Sequence, residues 1–363
     1  MASPTQPGSS PQRARAAAFC ARFGLSVPIL LAPMAGSTPP ALAAAVANGG
    51  GMGAFGALNT APEGIVEWAA AFRARSNGAF QVNLWVPDPP PVRDAAREEA
   101  MAGFLGRFGP RPAIPEGLFL PDFAAQCRAM IEAGPAVISS IMGLFPPEVV
   151  AAAKARGIAW FACATTVAEA KAAVAAGADA IVAQGAEAGG HRGTFDQAAA
   201  EAQQTGSLAL IPRFADALDV PVIATGGIAD ARGIAAALTL GASAVQIGTG
   251  FLRCPEAGLH PSWSAAIAAA EPEDTMATRV FSGRLGRGIA NEVVRAAAAP
   301  DGPAPAAYPV QRALFAPVRA AAEATGNAGA MQMWAGQAAR LAAAEPAGAL
   351  TARLWEDARA LLP

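Results

Sequence analysis

The sequence has little charge and very little histidine or tyrosine. Only 15% of its 363 residues are charged, 26 Lys and Arg stand against 28 Asp and Glu, and the chain has two His and one Tyr. Proteins that bind nucleic acid need clustered basic residues, so a net charge of -2 argues against a nucleic-acid partner. Because 53% of the residues are apolar, the chain can bury a core, which excludes general disorder.

Long hydrophobic runs and clustered cysteines are also missing. A membrane-spanning helix needs about 20 consecutive apolar residues. Runs such as 41–58 are broken by Asn and a glycine cluster, so we expect no membrane partner. The first 12 residues lack the apolar segment of a secretory signal, which predicts a disordered tail and a cytoplasmic protein. The four cysteines are far apart and form no C-x-x-C pair, so the sequence predicts neither a disulfide framework nor a metal site.

The chain does contain a repeated alternation of short apolar segments with alanine-rich segments of helical length. Most of the apolar segments begin 21 to 30 residues after the previous one, which is the spacing of βα units. Eight segments are predicted to be strands: 27–34, 50–56, 80–86, 136–143, 159–165, 180–185, 221–227 and 244–250.

These segments are apolar at nearly every position, as in a parallel sheet that is covered on both faces. Eight βα units close naturally into a TIM (β/α)8 barrel, so we predict this α/β fold. The predicted organisation is a disordered tail at 1–12, a barrel at 13–255, and a C-terminal helical extension at 256–363 that packs on the barrel and the substrate site. The long intervals 87–121 and 189–207 predict extended βα loops, which often carry function.

Two glycine-containing turns follow the last two predicted strands. Gly226 and Gly227 end one strand, and the segment 246–250 ends the next. Barrels commonly build a phosphate site from these two adjacent loops, whose backbone N–H groups are free to bind an anion. The alternative is that both turns only connect strands. A third cluster, 51–56, fits G-x-G-x-x-G, but it follows a helical pattern and is predicted to end a helix and start the second strand.

His191 follows the sixth predicted strand, at the barrel face where active sites form. Glycines on both sides let the backbone approach a ligand, and the imidazole is suited to proton transfer near neutral pH, so we predict that His191 is catalytic. Arg192 adds a positive charge that could contact the substrate. Asn83 and Gln184 are amides on predicted strands, and they must pair either with the barrel or with a polar ring ligand.

Several short motifs, in a fixed order along almost the whole chain, carry a family resemblance. They are Pro28-Ile29, Ala32-Pro33-Met34-Ala35-Gly36, Val82-Asn83-Leu84, residues 186–193, residues 224–228, residues 246–249, residues 281–284, Tyr308-Pro309 and residues 334–337. With these motifs the chain resembles the class I nitronate monooxygenases. The resemblance implies a TIM barrel that binds FMN without a covalent link. It also implies that O2 oxidises alkyl nitronates, above all propionate 3-nitronate, to an aldehyde or oxo acid with nitrite or nitrate, without reduced nicotinamide.

The resemblance also implies roles for individual residues. His191 matches the catalytic histidine, and Arg192 and Tyr308 are expected substrate contacts. His191 could hold a nitronate as a cation or deprotonate a neutral nitroalkane as a base, and the sequence leaves this open. Family members line the substrate cavity with several tyrosines, whereas this chain has one. The expected FMN contacts are Met34, Asn83, Gln184, Gly189, Gly226, Gly227, Gln246, Ile247, Gly248 and Thr249.

Two other functions are compatible with the sequence. Flavin-dependent reductases of quinones or of enoyl-acyl carrier protein use NADH or NADPH and share the Glu-Ala-Gly-Gly-His segment at 187–191. A flavin-binding barrel without catalytic activity is the second alternative. The sequence does not determine the oligomeric state.

Overall fold

The computed structural model describes residues 10–117 and 120–363. Within these residues, eight parallel strands form one sheet. The strands are β1 Ile29–Leu31, β2 Gly53–Gly56, β3 Phe80–Trp85, β4 Val137–Ile141, β5 Ala159–Ala164, β6 Ala180–Gln184, β8 Val222–Thr225 and β9 Ala244–Ile247, with β7 described below. Their order in the sheet is β1-β9-β8-β6-β5-β4-β3-β2. The two edge strands are joined by a parallel bridge between Leu30 and Met52, which closes a TIM barrel and confirms the predicted fold.

Helices follow most of the strands, and several begin with a proline at the first helical position, where the missing N–H is not needed. Thr166 and Glu169 form a capping box at the start of the helix that follows β5. The helices are α1 Pro11–Phe23, α2 Pro40–Asn48, α3 Pro62–Arg73, α4 Ala95–Leu105, α5 Phe123–Glu132, α6 Pro147–Ala155, α7 Val167–Ala175, α8 Ser207–Ala217, α9 Ala231–Thr239, α10 Pro261–Ala269, α11 Glu292–Ala297, α12 Val310–Thr325 and α13 Ala347–Leu361. None of the helices in the described part of the chain is long and apolar enough to cross a membrane.

The N-terminal helix closes one end of the barrel. Helix α1 begins at Pro11, so Pro11 and Gln12 are helical instead of belonging to the predicted tail, whose residues 1–9 lie outside the described residues. Phe19 of α1 is buried in one cluster with Leu30 and Met52, and its ring lies 6.2 Å from that of Phe161. These contacts seal the end of the barrel opposite the carboxyl ends of the strands.

The C-terminal helix is part of the barrel wall. Helix α13 packs against α9 and α2, where the outer helix after β9 belongs in this fold. Leu350 and Leu354 are buried in the main core, and Glu256 accepts a hydrogen bond from the backbone N–H of Ala347 at 3.1 Å. The last helix of the predicted extension at 256–363 therefore packs on the barrel and completes its outer ring.

The extension also contains strands. β10 Thr275–Thr278 and β11 Gly286–Ile289 are antiparallel, and β11 pairs with β7 Gly190–His191, which follows β6. A second core lies beside the barrel, where α4 packs on α12. Because α4 falls in the interval 87–121, this predicted loop is partly helical. The small sheet places the His191 segment beneath the extension.

Candidate active site

A cavity lies at the carboxyl ends of the barrel strands and beneath the extension. This is the face where the barrel fold places active sites. Eleven of the thirteen residues predicted as site residues line it, namely Met34, Asn83, Gln184, Gly189, His191, Gly226, Gly227, Gln246, Gly248, Thr249 and Tyr308. Ile247 and Arg192 do not. The structure thus brings together residues from both ends of the chain.

Alternation along extended backbone explains both exceptions. Successive side chains of a strand point to opposite faces. Gln246 and Gly248 line the cavity, whereas the side chain of Ile247 between them is 1% exposed and packs in the layer beneath the helices. Arg192 follows His191 and points away from the cavity, where its guanidinium donates to the carbonyls of Gln184 at 2.6 Å and of Gln203 at 2.9 Å. Arg192, which was predicted to contact the substrate, therefore faces away from this cavity.

The turns after β8 and β9 form a cradle for an anion. Gly226 and Gly227 have φ values of +105° and +72°, which side chains rarely adopt. Among the described residues, the backbone N–H groups of Gly226, Gly227, Gly248 and Thr249 find no hydrogen-bond acceptor. Unpaired N–H groups that converge from two loops bind phosphate well. These two turns therefore fit an anionic group such as a phosphate, and we call them the phosphate cradle.

Two strand amides hold the cavity in shape. The side-chain amide of Asn83 donates to the carbonyl and the hydroxyl of Ser139, both at 3.1 Å. Gln184 donates to the carbonyl of His191 at 3.0 Å and accepts from the N–H of Gly193 at 2.7 Å. Each amide also lines the cavity. They therefore pair with the barrel and still present polar edges to a ligand.

Glycine is required where two loops meet above the cavity. A Cβ atom at Gly189 would overlap the backbone nitrogen of Gly336. The N–H of Gly336 in turn donates to the hydroxyl of Thr249 at 3.0 Å. The Gly-Gly-His segment, the Trp-Ala-Gly-Gln segment and the phosphate cradle are therefore neighbours in space, although they are far apart in the sequence.

His191 lies between two aromatic rings. The centroid of its imidazole is 4.6 Å from that of Trp85 and 4.7 Å from that of Trp334, and Nε2 is 2.7 Å from the hydroxyl of Ser282. Burial, together with the positive charges of Arg284 and Arg312, lowers the pKa of His191 to about 3. The imidazole is therefore neutral at neutral pH.

The cavity has cations and aromatic rings that were not among the predicted site residues. Arg312 and Arg319 are seven residues apart on α12, so they share one face of the helix, and both line the cavity. Burial raises the pKa of Tyr308, and the Arg312 guanidinium beside it opposes this rise. Trp85, Trp263 and Trp334 line the cavity where the family resemblance led us to expect tyrosines. The seven-residue spacing of the two arginines is visible in the sequence, but the sequence does not show which surface their helix covers.

A buried ion pair lies close to His191. Arg284 is 2% exposed and lies 2.6 Å from the carboxylate of Asp88, which belongs to the loop after β3. Burial lowers the pKa of Arg284 and the Asp88 carboxylate raises it. The charge of Arg284 is thus balanced by a partner, and this guanidinium is not among the residues that line the cavity.

Comparisons with known proteins agree on one family. The profile described as "Nitronate monooxygenase" matches residues 19–357. The chain is 41% identical over 342 residues to a nitronate monooxygenase of Paraburkholderia phytofirmans, covering 92% of this chain and 93% of the relative. It is 40% identical over 348 residues to one of Pseudomonas aeruginosa, covering 94% and 99%. The solved nitroalkane oxidase from Streptomyces ansochromogenes superposes with a TM-score of 0.85 at 36% identity, over 95% of this chain and 100% of that one.

Proposed function

Because the chain belongs to the nitronate monooxygenase family, we propose that it uses bound FMN and O2 to oxidise alkyl nitronates, including propionate 3-nitronate. The chain is an oxidoreductase of this family. In a balanced form of the reaction, one nitronate and one O2 give an aldehyde or oxo acid and one nitrate. In a second balanced form, two nitronates and one O2 give two aldehydes and two nitrites.

The observation that carries the proposal is that the phosphate cradle and His191 line the same cavity. The N–H groups of Gly227, Gly248 and Thr249 would hold the single phosphate, and Asn83 and Gln184 would meet the polar edge of the ring system. When bound, FMN supplies the redox chemistry by accepting electrons from the nitronate and passing them to O2. The protein residues bind the two reactants, orient them and keep bulk water away.

The neutral state of His191 favours a nitronate over a neutral nitroalkane as the substrate. A general base works best when its pKa is near the working pH, and the pKa of His191 is about 3. A nitronate has already lost its α-proton and needs no base. The neutral imidazole, fixed by Ser282 and by the rings of Trp85 and Trp334, can then serve as a hydrogen-bonding group for the nitronate.

An anaerobic experiment tests the proposal. The FMN-loaded protein is mixed without O2 with propionate 3-nitronate and, separately, with NADH and with NADPH, while the flavin absorbance is followed. We expect the nitronate to change the oxidised flavin spectrum and both nicotinamides to leave it unchanged within the same time. Rapid bleaching by a nicotinamide and none by the nitronate would make the protein a reductase. A protein that takes up no FMN would exclude both activities.

A further inference from the structure

The residues that line the cavity carry positive charge and no negative charge. Among the described lining residues there are two arginines, Arg312 and Arg319, and neither Asp nor Glu. His191 is neutral at neutral pH, Arg192 points away, and Arg284 is paired with Asp88. The cavity therefore favours anions beyond the one that the phosphate cradle can hold.

The two arginines differ in their partners. Arg319 lies 4.0 Å from the carboxylate of Glu323 and 3.5 Å from the amide oxygen of Gln332, both in the described residues. Arg312 forms no ion pair within the described part of the chain. A guanidinium without a carboxylate partner can bind an anionic ligand without first giving up an internal ion pair.

Arg312 lies close to the expected reaction centre. Its charge acts on both His191 and Tyr308. The ring of Tyr308 is 5.7 Å from that of Trp85, which itself contacts the imidazole of His191. An anion held by Arg312 would therefore lie close enough to His191 for one small substrate to contact both side chains.

The segment that carries Arg312 is firmly held. The neighbouring Gln311 is 0% exposed. Its side chain accepts from the N–H of Ala306 at 2.9 Å and donates to the carbonyl of Val280 at 2.6 Å. These bonds fix the start of α12 against the turn after β10, so Tyr308 and Arg312 face the cavity from a fixed backbone.

We propose that Arg312 and the hydroxyl of Tyr308 form a carboxylate subsite, so that the enzyme prefers nitronates bearing a carboxylate near the reacting carbon over uncharged alkyl nitronates. The fork of N–H donors on a guanidinium matches the two oxygens of a carboxylate. This proposal rests on the proposed function and names the residues that select its substrate. It also implies a second class of ligand. Since a nitronate group is planar and anionic like a carboxylate, a four-carbon dicarboxylate such as succinate should occupy the same site.

Paired substrates test the subsite. We compare kcat/KM for propionate 3-nitronate with that for propyl-1-nitronate, which has the same number of carbons and no carboxylate. In Arg312→Gln, kcat/KM for propionate 3-nitronate should fall about 30-fold, because a hydrogen bond to a charged group contributes about 2 kcal/mol. The value for propyl-1-nitronate should change less than about threefold. Arg312→Lys should keep part of the preference for propionate 3-nitronate over propyl-1-nitronate. Tyr308→Phe should lose less of this preference than Arg312→Gln does.

Two further variants serve as controls. Arg295→Gln removes an exposed positive charge from α11 in the same extension and should leave both values unchanged. Arg319→Gln removes the other cavity arginine. The proposal would be overturned if Arg312→Gln lowered kcat/KM equally for both substrates. It would also be overturned if Arg319→Gln, and not Arg312→Gln, abolished the preference for propionate 3-nitronate.

A binding measurement separates this proposal from the proposed function. Succinate is titrated calorimetrically into the protein as purified, with butyrate as the singly charged control. We expect succinate to bind at least about tenfold more tightly than butyrate, and Arg312→Gln to remove this difference. If wild-type protein oxidises neither nitronate, the proposed function fails, while the titration still decides whether Arg312 forms a carboxylate subsite. Equal binding of succinate by wild type and Arg312→Gln would refute the subsite.

Discussion

Trp334 packs against His191, with ring centroids 4.7 Å apart at an interplanar angle of 58°. Trp334 belongs to the extension and forms an isolated bridge with Gly288 of β11, whereas His191 belongs to β7, the short strand after β6. The extension is therefore a wall of the active site as well as a cover for the barrel. The geometry of the imidazole therefore depends on a residue near the C-terminal end of the sequence.

Replacing Trp334 tests whether this wall positions His191. In Trp334→Ala the imidazole loses one of its two aromatic neighbours, so we expect kcat/KM for a nitronate to fall by about 10-fold to 100-fold. FMN affinity should change less than threefold, because the phosphate cradle lies on other loops. Trp334→Phe keeps a ring in place and should retain most of the activity. Steady-state kinetics and flavin fluorescence report the two quantities, and an equal loss of FMN binding and turnover would contradict a positioning role.

The low pKa of His191 predicts a specific acid sensitivity. In the unfolded chain this imidazole titrates near 6.5, whereas in the folded protein its pKa is about 3. Between about pH 3 and pH 6.5 the unfolded state therefore binds more protons than the folded state. The free energy of unfolding consequently falls as the pH drops below 6.5. At pH 4.5 this group alone removes roughly 3 kcal/mol, because each of the two pH units below 6.5 costs a little over 1 kcal/mol.

Urea unfolding at pH 7 and at pH 4.5 measures this effect. His191→Asn removes the titrating group, so the variant should lose less stability on acidification than the wild type. All other titrating groups are common to both proteins and cancel in the comparison. Equal acid losses in the two proteins would show that His191 is not held neutral by burial. The same assignment predicts no ionisation near pH 6.5 from His191 in the kcat/KM profile for a nitronate.

A pair of glycines tests the phosphate cradle. Gly227 and Gly157 have nearly the same left-handed backbone, with φ of +72° and +69°. A Cβ at Gly157 meets nothing within 4 Å, whereas one at Gly227 would lie 3.1 Å from the Cβ of Glu187. Both substitutions by Ala should cost about 1–2 kcal/mol of stability from backbone strain. Only Gly227→Ala should weaken FMN binding, by about tenfold or more, because only Gly227 lies in the cradle.

Flavin fluorescence titration gives the dissociation constant for each protein. Riboflavin, which lacks the phosphate, provides the internal control, and its affinity should respond much less to Gly227→Ala. An equal effect on FMN and riboflavin would place the phosphate elsewhere.

The C-terminal helix offers a matched pair for stability. Leu350 is 1% exposed in the barrel core, whereas Leu361 on the same helix is 56% exposed. Leu350→Ala should lower the free energy of unfolding by about 2–5 kcal/mol, because it leaves a cavity in the core. Leu361→Ala should change it by less than about 0.5 kcal/mol. Chemical denaturation compares the two, and similar effects would mean that α13 is not part of the barrel wall.

The barrel itself could be predicted from the sequence, because each of its strands is marked by a short run of apolar residues. All eight predicted strand segments contain an observed barrel strand, since strands buried on both faces are apolar throughout. The predicted segments are a few residues too long at their ends, where apolar residues continue into turns. The position of α13 could not be predicted, because an alanine-rich amphipathic helix does not reveal which distant surface it covers. The helix α4 was not predicted, because it lies in a proline-rich interval that was interpreted as a loop.

The candidate site was predictable where it follows the ends of strands. His191, Asn83 and Gln184 line the cavity as their positions after or within barrel strands indicated. Arg192 was assigned to the substrate because of its charge, but the alternation of extended backbone turns it away from the cavity. Arg312 was missed because it reaches the cavity only through the tertiary packing of the extension.

Oxygen consumption by the FMN-loaded protein tests the central claim most directly. Propionate 3-nitronate is added in air without NADH or NADPH, while an oxygen electrode and an aldehyde assay follow the reaction. We expect O2 to be consumed in proportion to the nitronate oxidised, with one aldehyde or oxo acid formed per nitronate. O2 consumption that appears only after NADH or NADPH is added, with the nitronate left unchanged, would contradict the account.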